Sequence, residues 1–296
     1  MAALAAIVDK SVVDDTSISL FYNTSKAQLA ISLQSSTDIN YQAEDTWVTT
    51  DDHYNRYILN PSSIAAAYYR GLKFVVAMTI PKKGEGETGA DVQISLVSPI
   101  CQDLTPGTFE NNHIALGATT DGNQGWLYYL NDGSDTRKRV VELDLNSKIT
   151  QVLSSIVQVD YNSSLAAWYD QVNEERHIIY EGGGLRDFNI DKNTLTTVHA
   201  GDMTPSTSIG VVYSKSTKKA YLYYCNVNQN IMRGVMSEGD WKDSQEIQGA
   251  PMVAENSQIT VTQANGFNHV FYIPKNLGTE EGGDQSPFAH ILDNID

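Results

Sequence analysis

A short apolar phrase recurs along this chain at intervals near fifty residues, and it restricts the possible folds more than any other feature. "PSSIAAAYY" occupies 61–69 and "NSSLAAWY" occupies 162–169. Taking the Ile or Leu of the phrase as an anchor aligns six segments, at Ile18, Ile64, Ile114, Leu165, Ile209 and Ile259. Successive anchors lie 46, 50, 51, 44 and 50 residues apart. Such a period marks a repeat architecture, in which each unit hides its apolar faces against its neighbours.

Within a unit the anchor segment is followed by a second apolar run rich in aromatics, for example "FVVAMTI", "WLYYLN", "HIIYEG" or "YLYYCN". Polar hairpins such as "DQVNEER" and "SKSTKK" separate the two. A third run follows in most units, and Trp47 and Trp241 open a fourth in two of them. Four short β-rich runs with turn signals between them describe a propeller blade. The expectation is an all-β, six-bladed β-propeller in which residues 1–296 form a single domain. The stretch "ELDLNSKITQVLSS" (142–155) reads as outer strands. The last unit supplies three strands, and "LAAIVDKSVV" precedes the first anchor. Pairing that N-terminal strand with the last blade would complete it and close the ring, hiding its open edge.

Composition narrows the partners. The formal charge of −16 excludes the cationic footprint that nucleic acid or an anionic membrane needs. Cys101 and Cys225 are too few for a disulfide framework. The N-terminus has no basic n-region and no run approaches the length of a membrane span. A cytoplasmic location is therefore expected. The six histidines show no ligand spacing and neither cysteine lies in a CxxC pair, so no metal is expected. Nucleotide and hydrolase fingerprints are also missing, and no cofactor is expected.

The "SxIAAxxY…VYY…I…W" rhythm resembles the fungal fucose-specific lectin type of six-bladed propeller over the whole chain. That resemblance implies sugar sites built from an arginine at the start of the second strand, a glutamate in the third, and stacking aromatics. This chain departs from the pattern. At the arginine position it has Gln28, Phe74, Trp126, His177, Tyr221 and His269, and at the glutamate position Tyr41, Asp187, Arg233 and His290. Within the same scaffold it resembles the fungal hetero-Diels–Alderases of tropolone–sesquiterpenoid biosynthesis. That resemblance implies a cofactor-independent pericyclase joining a tropolone quinone methide to a humulene-type alkene, with small apolar or aromatic metabolites as partners. The alternatives are a lectin with altered, non-fucose specificity and a protein-interaction propeller. The oligomeric state is left open.

A single site should be built by residues that break the repeat. Before the anchors stand Ser17, Ser63, His113, Ser164, Ser208 and Gln258. His113 and Gln258 interrupt the serines, as an acid–base or hydrogen-bonding pair at the channel mouth or as residues bonded to neighbouring backbone. Trp168 stands where the other units have mixed, mostly smaller residues, so it either walls a pocket or packs. The candidate catalytic set is His113, Gln258 and Arg70. The candidate substrate-binding set is Trp168, Tyr68, Tyr213, Tyr22, Ser63 and Ser164. Two long polar connections, 81–91 and 274–287, are candidate lids or plain surface loops.

Overall fold

The computed structural model describes residues 3–10, 17–24, 26–34, 46–48, 56–59, 62–81, 92–105, 113–119, 121–132, 138–156, 158–275 and 288–295. Both candidate lids lie almost wholly outside these residues, as does Tyr41. Six antiparallel sheets are arranged as the blades of a propeller. Their inner strands are Leu4–Val8, Ile64–Tyr69, Ile114–Ala118, Leu165–Asp170, Gly210–Ser214 and Thr260–Ala264. Each touches the next, and Leu4–Val8 touches Thr260–Ala264, so the ring is complete.

Blades three and four show the plain pattern. Blade three runs Ile114–Ala118, Gly125–Asp132, Lys138–Asp144 and Thr150–Val152. Blade four runs Leu165–Asp170, Glu175–Glu181, Leu185–Asn189 and Thr194–Thr197. Thus 142–155 contributes outer strands, as its sequence suggested. Trp47 and Trp241 also lie in the fourth strands of their blades.

The described residues form no single core. Six apolar clusters fill the six gaps between blades: Ile94, Leu96, Leu127 and Leu143 between two and three, for example, and Leu4, Leu20 and Phe271 between one and six. Each sheet is therefore covered on both faces, which is why its strands read as continuous apolar runs rather than as alternating ones. Each large side chain buried this way contributes about 1.5–3 kcal/mol.

The N-terminal strand corrects the expected closure. Leu4–Val8 does not complete the last blade; it is the inner strand of the first, paired antiparallel with Ile18–Asn23. All five of its residues are buried, as an inner strand demands and an outer strand does not allow. Blade one then runs on through Leu29–Gln34 and Thr46–Val48, and among the described residues blade six has three strands, Thr260–Ala264, Phe267–Tyr272 and Ala289–Asn294. The anchor of blade one is Leu4, and Ile18 begins its second strand. The sequence held the signal: "LAAIVD" at 4–9 repeats "LAAWYD" at 165–170. Closure is made by blade-on-blade packing and by hydrogen bonds across the inner strands.

Candidate functional site

Those hydrogen bonds explain the serine pattern. Ser63 Oγ accepts from the Ile114 N–H of the next blade at 2.9 Å, and Ser208 Oγ accepts from the Ile259 N–H at 2.8 Å. In these blades the residue before the anchor thus caps the first free N–H of the following inner strand. Gln258 does this across the closure. Its Oε1 accepts from Leu4 N–H at 2.9 Å and from Ile64 N–H at 3.1 Å, and its Nε2 donates to Ile64 O at 2.8 Å. The second reach is needed because Ala3, which precedes Leu4, has no hydroxyl to offer Ile64. Gln258 is accordingly a ring-closing residue. Its amide is committed to backbone, which removes it from an acid–base role.

The mouth encloses a cavity of about 570 Å³, with Ser63, His113, Ser164 and Gln258 all on its wall. Burial pushes the His113 imidazole down to about 4, so near neutral pH it is uncharged. It can exchange hydrogen bonds there but does not serve as a cationic acid. Cys225 also lines the cavity, and burial raises its thiol to about 11, so it stays protonated. Behind this wall, burial raises the Glu181 carboxyl to about 7, opposed by hydrogen bonds from the Ser206 and Ser164 backbone. Sequence reasoning passed over Glu181, because its signal is a carboxylate inside an apolar strand, "HIIYEG".

The other proposed residues lie elsewhere. Arg70 forms the hairpin tip with Gly71, both at positive φ (50° and 77°). It therefore sits at the far end of the strand that starts at Ile64, about 20 Å from the mouth. Trp168 is buried between blades four and five, its ring stacked on His177 at 3.9 Å and on Tyr213 at 5.6 Å. Tyr22 packs edge-on against Phe288, and Tyr68 has the Lys10 ammonium 5.2 Å from its ring centroid. None of Arg70, Trp168, Tyr213, Tyr22 and Tyr68 lines the mouth cavity. A strand advances about 3.3 Å per residue, so side chains three or four positions past the anchor are already deep between blades.

At the register where the lectin pattern implies an arginine, several blades are filled by side chains bonded within the blade or to the next one. His177 meets Asp187 at 3.1 Å, and the Trp241 indole donates to the other oxygen of Asp187 at 3.0 Å. His269 meets His290 at 2.9 Å, with Phe271 stacked on His290. Tyr221 donates to Ile295 O, and Arg233 binds Asp293 at 2.7 Å. Blade three differs. Trp126 lines a cleft of about 330 Å³ shared with blade four. Tyr169 stacks on it at 6.0 Å and the Arg176 guanidinium lies 5.1 Å from its centroid. Arg176 donates to both oxygens of Glu142 at 2.8 Å and to Asp191 at 2.6 and 3.0 Å, leaving one N–H uncommitted. Asp144, Asn146, Gln124 and Glu174 complete the wall. This cleft was missed in the sequence because its arginine comes from the neighbouring blade, one residue before the aligned position.

No known family profile matches the chain. It is 28% identical to the wall-associated proteinase of Coccidioides immitis (strain RS) over 299 residues, spanning 93% of this chain and 92% of that protein. The wall-associated proteinase of Coccidioides posadasii is 29% identical over the same shares. Among solved structures, the six-bladed Aleuria aurantia lectin superimposes with a TM-score of 0.68 at 12% identity, covering 99% of this chain and 96% of the lectin. SapL1 lectin, solved with α-methyl fucoside, gives 0.60 at 14% identity, with 99% and 92% covered. The fold is that of the six-bladed fungal fucose lectins. Neither comparison bears on a hetero-Diels–Alderase, and a cytoplasmic location finds no support beside relatives named for the wall. Among the described residues no helix is long and apolar enough to cross a membrane.

Proposed function

We propose that the chain is a carbohydrate-binding propeller of lectin type with a specificity other than fucose, and that it binds sugar in the cleft between blades three and four. The observation that carries this is the cleft around Trp126, open where the corresponding positions of blades four, five and six are plugged by paired side chains. Its chemistry suits a sugar. The half-buried Tyr169 ring borders the cleft beside the buried Trp126, carboxylates accept from hydroxyls, and Asn146, Gln124 and the spare Arg176 N–H serve both polarities. Binding through this cleft should appear as a glycan-array signal from the full chain. Gln124 and Glu174 are exposed, so Gln124→Ala and Glu174→Ala should weaken binding and leave melting unchanged. Array binding indifferent to both substitutions would show that the cleft is not the site.

A second reading, a cofactor-independent pericyclase joining a tropolone quinone methide to a humulene-type alkene, draws on a different observation. The mouth cavity is larger and carries the neutral His113. Product formation with and without protein tests it, and His113→Ala should then lower turnover at unchanged melting temperature.

A further inference from the structure

The capping pattern around the mouth is broken at Ser164. By the rule that Ser63 and Ser208 obey, its hydroxyl should accept from Ile209 N–H. No such bond forms, and Ser164 Oγ is buried without a partner although Ser164 is only 3% exposed. A second unpartnered buried atom, Gln229 Oε1, belongs to a residue on the same cavity wall. A third, Glu181 Oε1, belongs to the carboxyl whose other oxygen accepts from Ser206 N–H at 2.8 Å. Buried polar atoms without partners cost stability and are rare in folded proteins. Here two of them, on Ser164 and Gln229, belong to the wall of one cavity, with Glu181 behind it, and the cavity's apolar surface comes from Ile114, Leu165, Ile209 and Val253.

We infer that the channel mouth is a second ligand site, for a small uncharged molecule bearing hydroxyl groups on an apolar body, held by Ser164 and Gln229. The wall selects against charge. Ser164 offers a hydroxyl, Gln229 an amide oxygen, and His113 and Cys225 are neutral near pH 7. A carboxylate would find no Lys or Arg among the described residues of the wall. A protonated amine would have to shed water for a cavity whose one carboxylate among the described residues, Glu255, is exposed.

The test uses the full chain with 13C-labelled Ile, Leu and Val methyls. Methyl β-D-glucopyranoside is the neutral probe, with glucosamine hydrochloride and sodium glucuronate as charged controls. The neutral probe should move the Ile114, Leu165, Ile209 and Val253 methyl signals with millimolar saturation, and the charged ones should not. Among the described residues the blade three–four cleft has no Ile, Leu or Val on its wall, so its occupancy leaves these signals in place. Ser164→Ala should weaken the neutral probe about fivefold, the value of one hydrogen bond, while raising the melting temperature of the free protein. Gln229→Asn, which keeps a residue that tolerates the observed φ of 65°, should weaken it similarly by withdrawing the amide. Methyl signals that stay still to 100 mM probe overturn the inference. So does an equal response to a charged probe, or a Ser164→Ala protein that gains stability and binds as before, which would make Ser164 a packing defect only.

Discussion

Gln258→Ala isolates the closure of the ring. The substitution leaves Leu4 N–H, Ile64 N–H and Ile64 O without their partner. Each buried backbone group left unpaired costs about 1–3 kcal/mol. The mouth is partly open and water will recover some of that, so the expected loss is about 2–4 kcal/mol. Unfolding entropy of about 2.1 cal/mol/K per residue over a chain of this length turns that loss into a fall in melting temperature of about 3–6 °C. Gln258→Ser should recover only the Leu4 bond, since serine spans one step of the ring in blades two and five. Adding Ala3→Ser supplies the hydroxyl that the pattern lacks beside Ile64, and the Ala3→Ser/Gln258→Ser protein should regain at least half the loss. Calorimetry on the four proteins measures the coupling directly. A Gln258→Ala protein melting within a degree of the parent would refute the closure role. So would a double variant no more stable than Gln258→Ser.

Deleting residues 1–13 removes an inner strand, so it should yield no cooperatively melting monomer by calorimetry rather than a milder shift. Trp168→Ala should cost about 3–5 kcal/mol through the lost stacking on His177 and Tyr213, and it should leave the mouth-cavity methyl response in place. The Glu181 carboxyl, raised by burial with Asp160 adding to the effect, favours its protonated form in the folded state. Its contribution is full below the ordinary carboxylate range and is lost as pH rises from there to about 7. Glu181→Gln should therefore flatten the decline of melting temperature over that window, and an unchanged pH profile would show that Glu181 ionises normally.

The architecture was legible because a propeller writes itself locally. Inner strands need small residues after the anchor and apolar residues on both faces, and five of the six anchors named from sequence begin or immediately precede inner strands. The error at Ile18 arose because second strands carry the same apolar signal, while "LAAIVD" lay where a targeting segment is usually sought. The mouth was legible in part: His113, Ser63, Ser164 and Gln258 do share one cavity, since positions preceding the anchors must meet around the axis. Their roles were decided by tertiary structure. Gln258 is backbone-bound because Ala3 lacks a hydroxyl one blade away, a relation across 255 residues of chain that no local pattern carries. Trp168 stands out in the alignment, yet strand geometry turns it into the gap beside His177. The cleft at Trp126 exists because Arg176 arrives from the next blade and is held there by Glu142 and Asp191. Composition and periodicity set which residues line up; only the packing of one blade on the next decides which of them remain open to a ligand.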